Sequence, residues 1–272
     1  MMFVFGDMHG RWDFLEKLLQ AAGIVDEDGD LAMDDIVVGV GDLINGTFMD
    51  TNNDTEIIER AKDYVDYWVV GNHDAVYSHP HLSFQGFTPS PVLQTEYNTW
   101  MRSGKLVPAV CVANTLITHA GVNAAFNFQT AGEAFDAITD VWEHYYEIAN
   151  PVPGGSTPLG GEPWQFKGRR YDRATLVDGI GFDRGGRAAV AGILWDDWSQ
   201  PKNTNFSQVV GHTPIKSGPV LHRHLGSNEF TLNIDVGAKK GLTPYGVWIN
   251  EVGEIESFVT VEVDDETSDT SS

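Results

Sequence analysis

Asp7 and His9 stand two residues apart in Gly6-Asp7-Met8-His9-Gly10, directly after the apolar run Met2-Phe3-Val4-Phe5. The same arrangement recurs along the chain. Gly41-Asp42 ends Ile36-Val37-Val38-Gly39-Val40, and Gly71-Asn72-His73-Asp74 ends Tyr67-Trp68-Val69-Val70. His119-Ala120-Gly121, Gly211-His212-Thr213-Pro214 and Asp235-Val236-Gly237-Ala238 follow in order. Strand-like runs ending in Asp, His, Asp, Asn, His and His put these side chains at the carboxyl ends of strands, where α/β sheets bind ligands. Carboxylate, amide oxygen and imidazole together suit two divalent metals that share one carboxylate.

The elements that must carry these motifs can be read from periodicity. Residues 11–22 place apolar side chains at helical spacing and stop at Gly23, so with the strands on either side they predict a βαβ unit. Further helices are expected over Asp54–Lys62, Val92–Arg102 with a stop at Gly104, and Thr130–Ala149. In the last of these Phe135, Ile138, Val141, Trp142, Tyr145 and Tyr146 are read as core. Residues 150–168 are rich in Gly and Pro and punctuate the chain. Strands resume near Gln208–Val210, Thr231–Ile234, Gly246–Ile249 and Ile255–Val263. An insertion over about residues 124–190 is expected to sit as a cap or loop over the site, because loops on a fixed scaffold carry specificity. The domain is expected to run over 1–263, followed by an acidic, Ser/Thr-rich, disordered tail over 264–272.

The string GDxHG, GD, GNHD, HAG, GHTP, spread over residues 6 to 238, resembles that of the calcineurin-like metallophosphoesterases. Within them it is most similar to the phosphoprotein-phosphatase type, including bacterial and phage members and the symmetrical diadenosine tetraphosphate hydrolases. The resemblance implies a four-layer α/β/β/α sandwich with a cap or loop insertion. It implies that Asp7 and His9 hold one metal, that Asp42 bridges two, and that Asn72, His119 and His212 complete the second. It implies His73 as general acid and a hydroxide bridging the two ions as the nucleophile. Asn72 already points to metal, and in an extended segment its neighbour His73 would point elsewhere. Manganese is the expected metal, while iron, zinc, nickel and cobalt fit the same donors. Pro214 stands where nuclease-like relatives place another His, which favours the phosphatase and dinucleotide hydrolase branch.

The chain departs from the family pattern after Asp42. The family places an Asp three residues on, followed by a phosphate-binding Arg; here those positions are Asn45 and Gly46. Asn45 can accept a hydrogen bond from His73 but cannot stabilise an imidazolium by charge, and a bidentate phosphate clamp is lost. Candidate replacement cations are Arg11, directly after the first motif, and the crowd Arg169, Arg170, Arg173, Arg184 and Arg187 ahead of Leu194-Trp195-Asp196. Arg11, Arg170 and Asn72 are the expected substrate contacts. Loss of the usual pair also keeps open a metal-binding module without catalysis, or an enzyme that processes nucleic-acid ends.

Composition narrows these choices. A formal charge of −22 opposes broad attraction to nucleic acid or to anionic membrane. It does not oppose a phosphorylated small molecule, nucleotide or phosphoprotein, because two divalent cations invert the local field. No stretch approaches the ~18 apolar residues of a membrane span. The first strand at residue 2 suggests no cleavable leader, and a cytoplasmic location is the expectation. The single cysteine, Cys111, excludes an internal disulfide and is expected to be buried and inert. The acidic stretches Asp26–Asp30 and Asp50–Asp54 lack the Gly and Glu positions of a calcium loop. His79, His81, His222 and His224 are read as surface residues, and His144 as structural.

Overall fold

A computed structural model describes residues 1–44, 51–78, 90–149, 164–166, 169–171 and 173–261. The first strand, β1 (Met2–Phe5), is followed by α1 (Trp12–Ala21), β2 (Ile36–Gly39), α2 (Thr51–Ala61) and β3 (Tyr67–Val69). Then come α3 (Asn72–Ser78), α4 (Pro91–Ser103), β4 (Leu106–Val107), β5 (Val110–Val112) and β6 (Thr115–Ile117). After α5 (Ala131–Ala149) lie β7 (Trp164–Phe166), β8 (Arg169–Tyr171) and α6 (Arg173–Asp178). The chain closes with β9 (Ser207–Val210), β10 (Val220–Arg223), β11 (Phe230–Asn233), β12 (Tyr245–Ile249) and β13 (Ile255–Thr260).

Two mixed sheets result, ordered β13-β12-β1-β2-β3-β4 and β10-β11-β9-β6-β5, with β7 and β8 forming a separate ribbon. The period-2 alternation of strand side chains decides how they pack. Met2 and Val4 of β1 join Val38, Val69, Ile117, Val209, Leu232 and Val247 in one cluster drawn from both sheets. Phe3 and Phe5, on the opposite face, pack with Trp12, Leu15 and Leu18 of α1. The outer face of the second sheet is covered by α5, which lies on β5 and β6. Helix, sheet, sheet, helix is the four-layer mixed α/β sandwich that the family resemblance implies.

Helix ends follow local chemistry. Gly104 closes α4 in the left-handed conformation, as a C-terminal glycine does. At the start of α5 the Thr130 hydroxyl accepts from the Glu133 amide at 3.1 Å, and Glu133 accepts from the Gln129 amide at 2.7 Å. That is a capping box with its return bond shifted by one residue. Ile138, Val141 and Trp142 are buried in the core.

Three expectations need correction or placement. The segment at Asn72 and His73 is not extended, because α3 begins at Asn72. Cys111 is half-buried on β5 and not enclosed; burial still raises its thiol pKa, which keeps it inert at neutral pH. The positions of Asn45, Gly46, His79, His81 and the tail from 262 lie outside the described residues. Asp26–Asp30 is a solvated turn in which the Asp26 carboxylate accepts from the amides of Asp28 and Asp30. No helix among the described residues is long and apolar enough to cross a membrane.

Candidate metal centre

β1, β2 and β3 run parallel in one sheet, and β6, β9 and β11 run parallel in the other. Their carboxyl ends therefore open onto one rim. Asp7, Asp42 and Asn72 follow the first three strands; His119, His212 and Asp235 follow the others. The rim turns are tight, and three of the expected ligands pay in backbone strain. His9, Asp42 and His212 have φ of 48°, 49° and 69°, a left-handed conformation that costs a non-glycine residue about 1–3 kcal/mol and clusters at functional sites. Glycines permit the close approach. A Cβ on Gly71 would lie 2.1 Å from Asp42 Oδ1, and one on Gly211 would lie 2.0 Å from Asp7 Oδ1.

The side chains converge around Asp42. Its Oδ2 lies 3.7 Å from His9 Nε2 and 3.9 Å from His73 Nε2, while its Oδ1 lies 3.6 Å from His119 Nε2. Oδ1 also accepts from the His73 amide at 2.9 Å. The two oxygens of one carboxylate thus face two groups, His9 with His73 and His119 with His212. In the second group His119 Nε2 lies 3.0 Å from both Asn72 Oδ1 and His212 Nδ1, and His212 Nδ1 lies 2.9 Å from Asn72 Oδ1. His119 Nδ1 sits 3.0 Å from the Val40 carbonyl, to which it donates its proton. That bond fixes the tautomer and turns a lone pair at Nε2 toward the Asn72 oxygen, the usual support for a metal-bound imidazole.

Such a set fits cations better than it fits itself. Asp7, Asp42, Asp74 and Asp235 are all buried at this rim, and buried carboxylates need partners. Burial, with the charges of Asp235 and Asp42, pushes Asp7 well above the usual carboxylate range. Burial also pushes Asp235 and Asp74 up to about 6, each with help from Asp42. Asp42 is the exception: burial raises it, but His119, His73, His9 and His212 around it more than offset that and hold it low. Burial lowers His9 to about 3 and takes His119 and His212 down too, leaving neutral imidazoles, the form that ligates metal. Asp7 Oδ1, His9 Nδ1 and His212 Nε2 are buried polar atoms with no protein partner among the described residues. Orphans of this kind in a native site call for an ion or water.

The other expected residues fall differently. Asp7 is tied to the second sheet by the His212 amide, which donates to Oδ2 at 3.0 Å. His73 lies beside His9 with ring centroids 5.0 Å apart. Arg11 turns to the surface: Nε and Nη2 donate to Asp13 at 2.8 and 2.6 Å, and the guanidinium lies 3.5 Å over the Phe14 ring. Arg170 lies on β8. His222 rests against Trp198, and His224 contacts Thr204 and Thr231.

Arg184, Asp74 and Tyr97 support these groups, and of the three only Tyr97 carries no signal in the sequence. Arg184 Nη2 donates to Thr213 Oγ1 at 2.8 Å and pairs with Asp197 at 2.8 Å, one residue from His212. Its charge is felt at His212 and His119. The Asp74 carboxylate accepts from the Tyr97 hydroxyl at 2.6 Å and from the Gly71 amide at 2.9 Å, bracing the turn that carries Asn72. Asp74 was legible as the last residue of its motif. Tyr97 lies on α4, and no spacing signal connects it to Asp74.

Comparison with known proteins agrees with this geometry. A model of the calcineurin-like phosphoesterases matches residues 2–236. A cold-active protein-tyrosine phosphatase from a psychrophilic Shewanella is similar in structure, with TM-score 0.53, 16% identity, and coverage of 94% of this chain and 79% of that one. A structure of a cold-active protein tyrosine phosphatase at 1.1 Å gives TM-score 0.54, 18% identity, and coverage of 94% and 77%. At these identities the likeness is one of fold. No curated protein sequence matches. With the match extending from the first strand past the last buried Asp of the rim, the chain belongs to the calcineurin-like phosphoesterase family, a family of phosphoric ester hydrolases that typically binds two metal ions.

Proposed function

We propose that this chain hydrolyses phosphoesters with two divalent cations, manganese first among them. Asp7, His9 and Asp42 would hold one cation; Asp42, Asn72, His119 and His212 would hold the other. The observation that carries this is Asp42, whose two oxygens face separate imidazole groups at 3.6 to 3.9 Å. When bound, such cations neutralise developing charge on phosphorus and supply an activated water.

The protein's own residues do the rest. His73 presents Nε2 at the Asp42 side of the rim, with 17% of its side chain exposed, so it can hold a proton for the leaving oxygen as the P–O ester bond breaks. Among the described cations, Arg184 is best placed to orient a phosphate, since it stands beside Thr213 and its charge is felt at His212 and His119. The sequence itself points to Asn45 as the hydrogen-bond partner of His73, and to Arg11, Asn72 and Arg170 as the substrate contacts. The substrate is a phosphomonoester, a phosphodiester or a dinucleoside polyphosphate, held as a small molecule, nucleotide or phosphoprotein side chain.

The test is a panel of mono-, di- and polyphosphate esters with the manganese-loaded full chain. Elemental analysis should find about two equivalents of metal, and at least one ester should turn over. Two bound metals without turnover would favour a metal-binding module, the alternative raised by Asn45 and Gly46. Sub-stoichiometric metal would defeat the proposed centre.

A further inference from the structure

Beside the rim lies a half-open slot of about 140 Å³. Ala188, Ala189 and Ala191 line it together with Phe182 and Trp195, and Arg184 stands among the lining residues with Asp197. It adjoins the proposed metal centre at two points. The Trp195 ring meets the His212 ring nearly edge-on, 84° apart in plane and 6.0 Å between centroids. Arg184 reaches across to Thr213, next to His212 in sequence.

We propose that this slot receives the single aromatic ring of an aryl phosphate, with the phosphate on the Arg184 side toward His212. The proposal rests on the phosphoesterase reading of the same rim and adds the class of leaving group. Size is the first argument. An apolar cavity of about 150 Å³ accepts benzene, so one ring matches the volume of this slot. Shape and chemistry are the second. Methyl groups and aromatic surface among the lining residues suit a flat apolar group, since ring pairs and ring–methyl contacts reward offset or edge packing. Phe182, which lines the slot, is 70% exposed, and a ligand ring would cover part of that surface. The third argument is Arg184, whose Nη2, held by Asp197 and Thr213, brings a positive charge to the side of the slot next to His212.

Binding of non-hydrolysable phosphonates separates this idea from catalysis. Calorimetry with the manganese-loaded full chain should show phenylphosphonate binding about tenfold tighter than methylphosphonate, because much of one ring's apolar surface is buried. Ala189→Leu, at an exposed position, should fill the slot and cut that ratio to about twofold or less. Phe182→Ala should lower it by removing the aromatic wall. Equal affinities in the unmodified protein, or a ratio unchanged in both variants, would overturn the slot assignment while leaving the metal centre standing. Failure of both phosphonates to bind would count against the metal-centre reading and this one together.

Discussion

At Asp42 one side chain answers to four imidazoles, and its position in a left-handed turn with φ of 49° leaves little room for substitution. Asp42→Asn keeps the shape but removes the negative charge that would serve both ions. Metal content should fall below one equivalent, and activity should fall by more than the ~10–100-fold typical of losing an outer partner; elemental analysis and steady-state rates read both. His73 is tested by a contrast in leaving groups. A nitrophenolate departs with little protonation, whereas an alkoxide needs it, so His73→Asn should cost alkyl phosphates about 10²–10⁴-fold and aryl phosphates less. Both metals should be retained. Because His73 also lies with His9 and Asp42 in a group able to hold an ion, loss of one equivalent in that variant would make it a ligand instead.

At the scale of elements, the loop between α6 and β9 depends on a buried ion pair. Lys202 Nζ donates to Asp196 at 2.7 Å and to the Asp197 carbonyl at 2.6 Å, and Asn123 donates to the other Asp196 oxygen at 3.2 Å. Asp197 in turn holds Arg184, so the pair sets the loop that aims the guanidinium. Lys202→Met leaves the Asp196 carboxylate buried without its cation, a change that typically costs about 3–5 kcal/mol. Burial already raises the Asp196 pKa despite Lys202, and removing the cation raises it further. A carboxyl raised in the folded state binds protons more readily there than unfolded, so its contribution to stability falls as pH rises through that interval. The penalty of Lys202→Met should therefore be larger at pH 8 than at pH 5, as denaturant unfolding at the two values would show.

For the whole molecule, the rim concentrates four buried carboxylates in a chain of net charge −22. Cations that bind only the folded state stabilise it by mass action, about 2.7 kcal/mol at a hundredfold excess over Kd. Chelation should lower the melting temperature by several degrees, given ~2–4 °C per kcal/mol for chains near this size, and manganese should restore it. A melting curve indifferent to chelator would show that the carboxylates are satisfied by other means.

Much of this was legible before any coordinates. Each motif directly follows an apolar run, and because parallel strands bring their carboxyl ends to one rim, order along the chain sufficed to predict that Asp7, His9, Asp42, Asn72, His119 and His212 would meet. Periodicity located α1, α4 and α5 to within a few residues, since amphipathic helices and a closing glycine are local signals. The short α3 was not legible: its first residues are the motif itself, and its helical form comes from the buried Asp74, which caps the turn at the Gly71 amide and is braced by Tyr97 from another helix. The arginines show the same division. Sequence could name six candidates, but a guanidinium's partner is chosen in space. Tertiary structure turned Arg11 to Asp13 and set Arg184 between Asp197 and Thr213. Residue order determined which chemistry this protein carries, because ligand motifs follow strands; only the packing of two sheets and a loop decided which cation and which slot stand beside it.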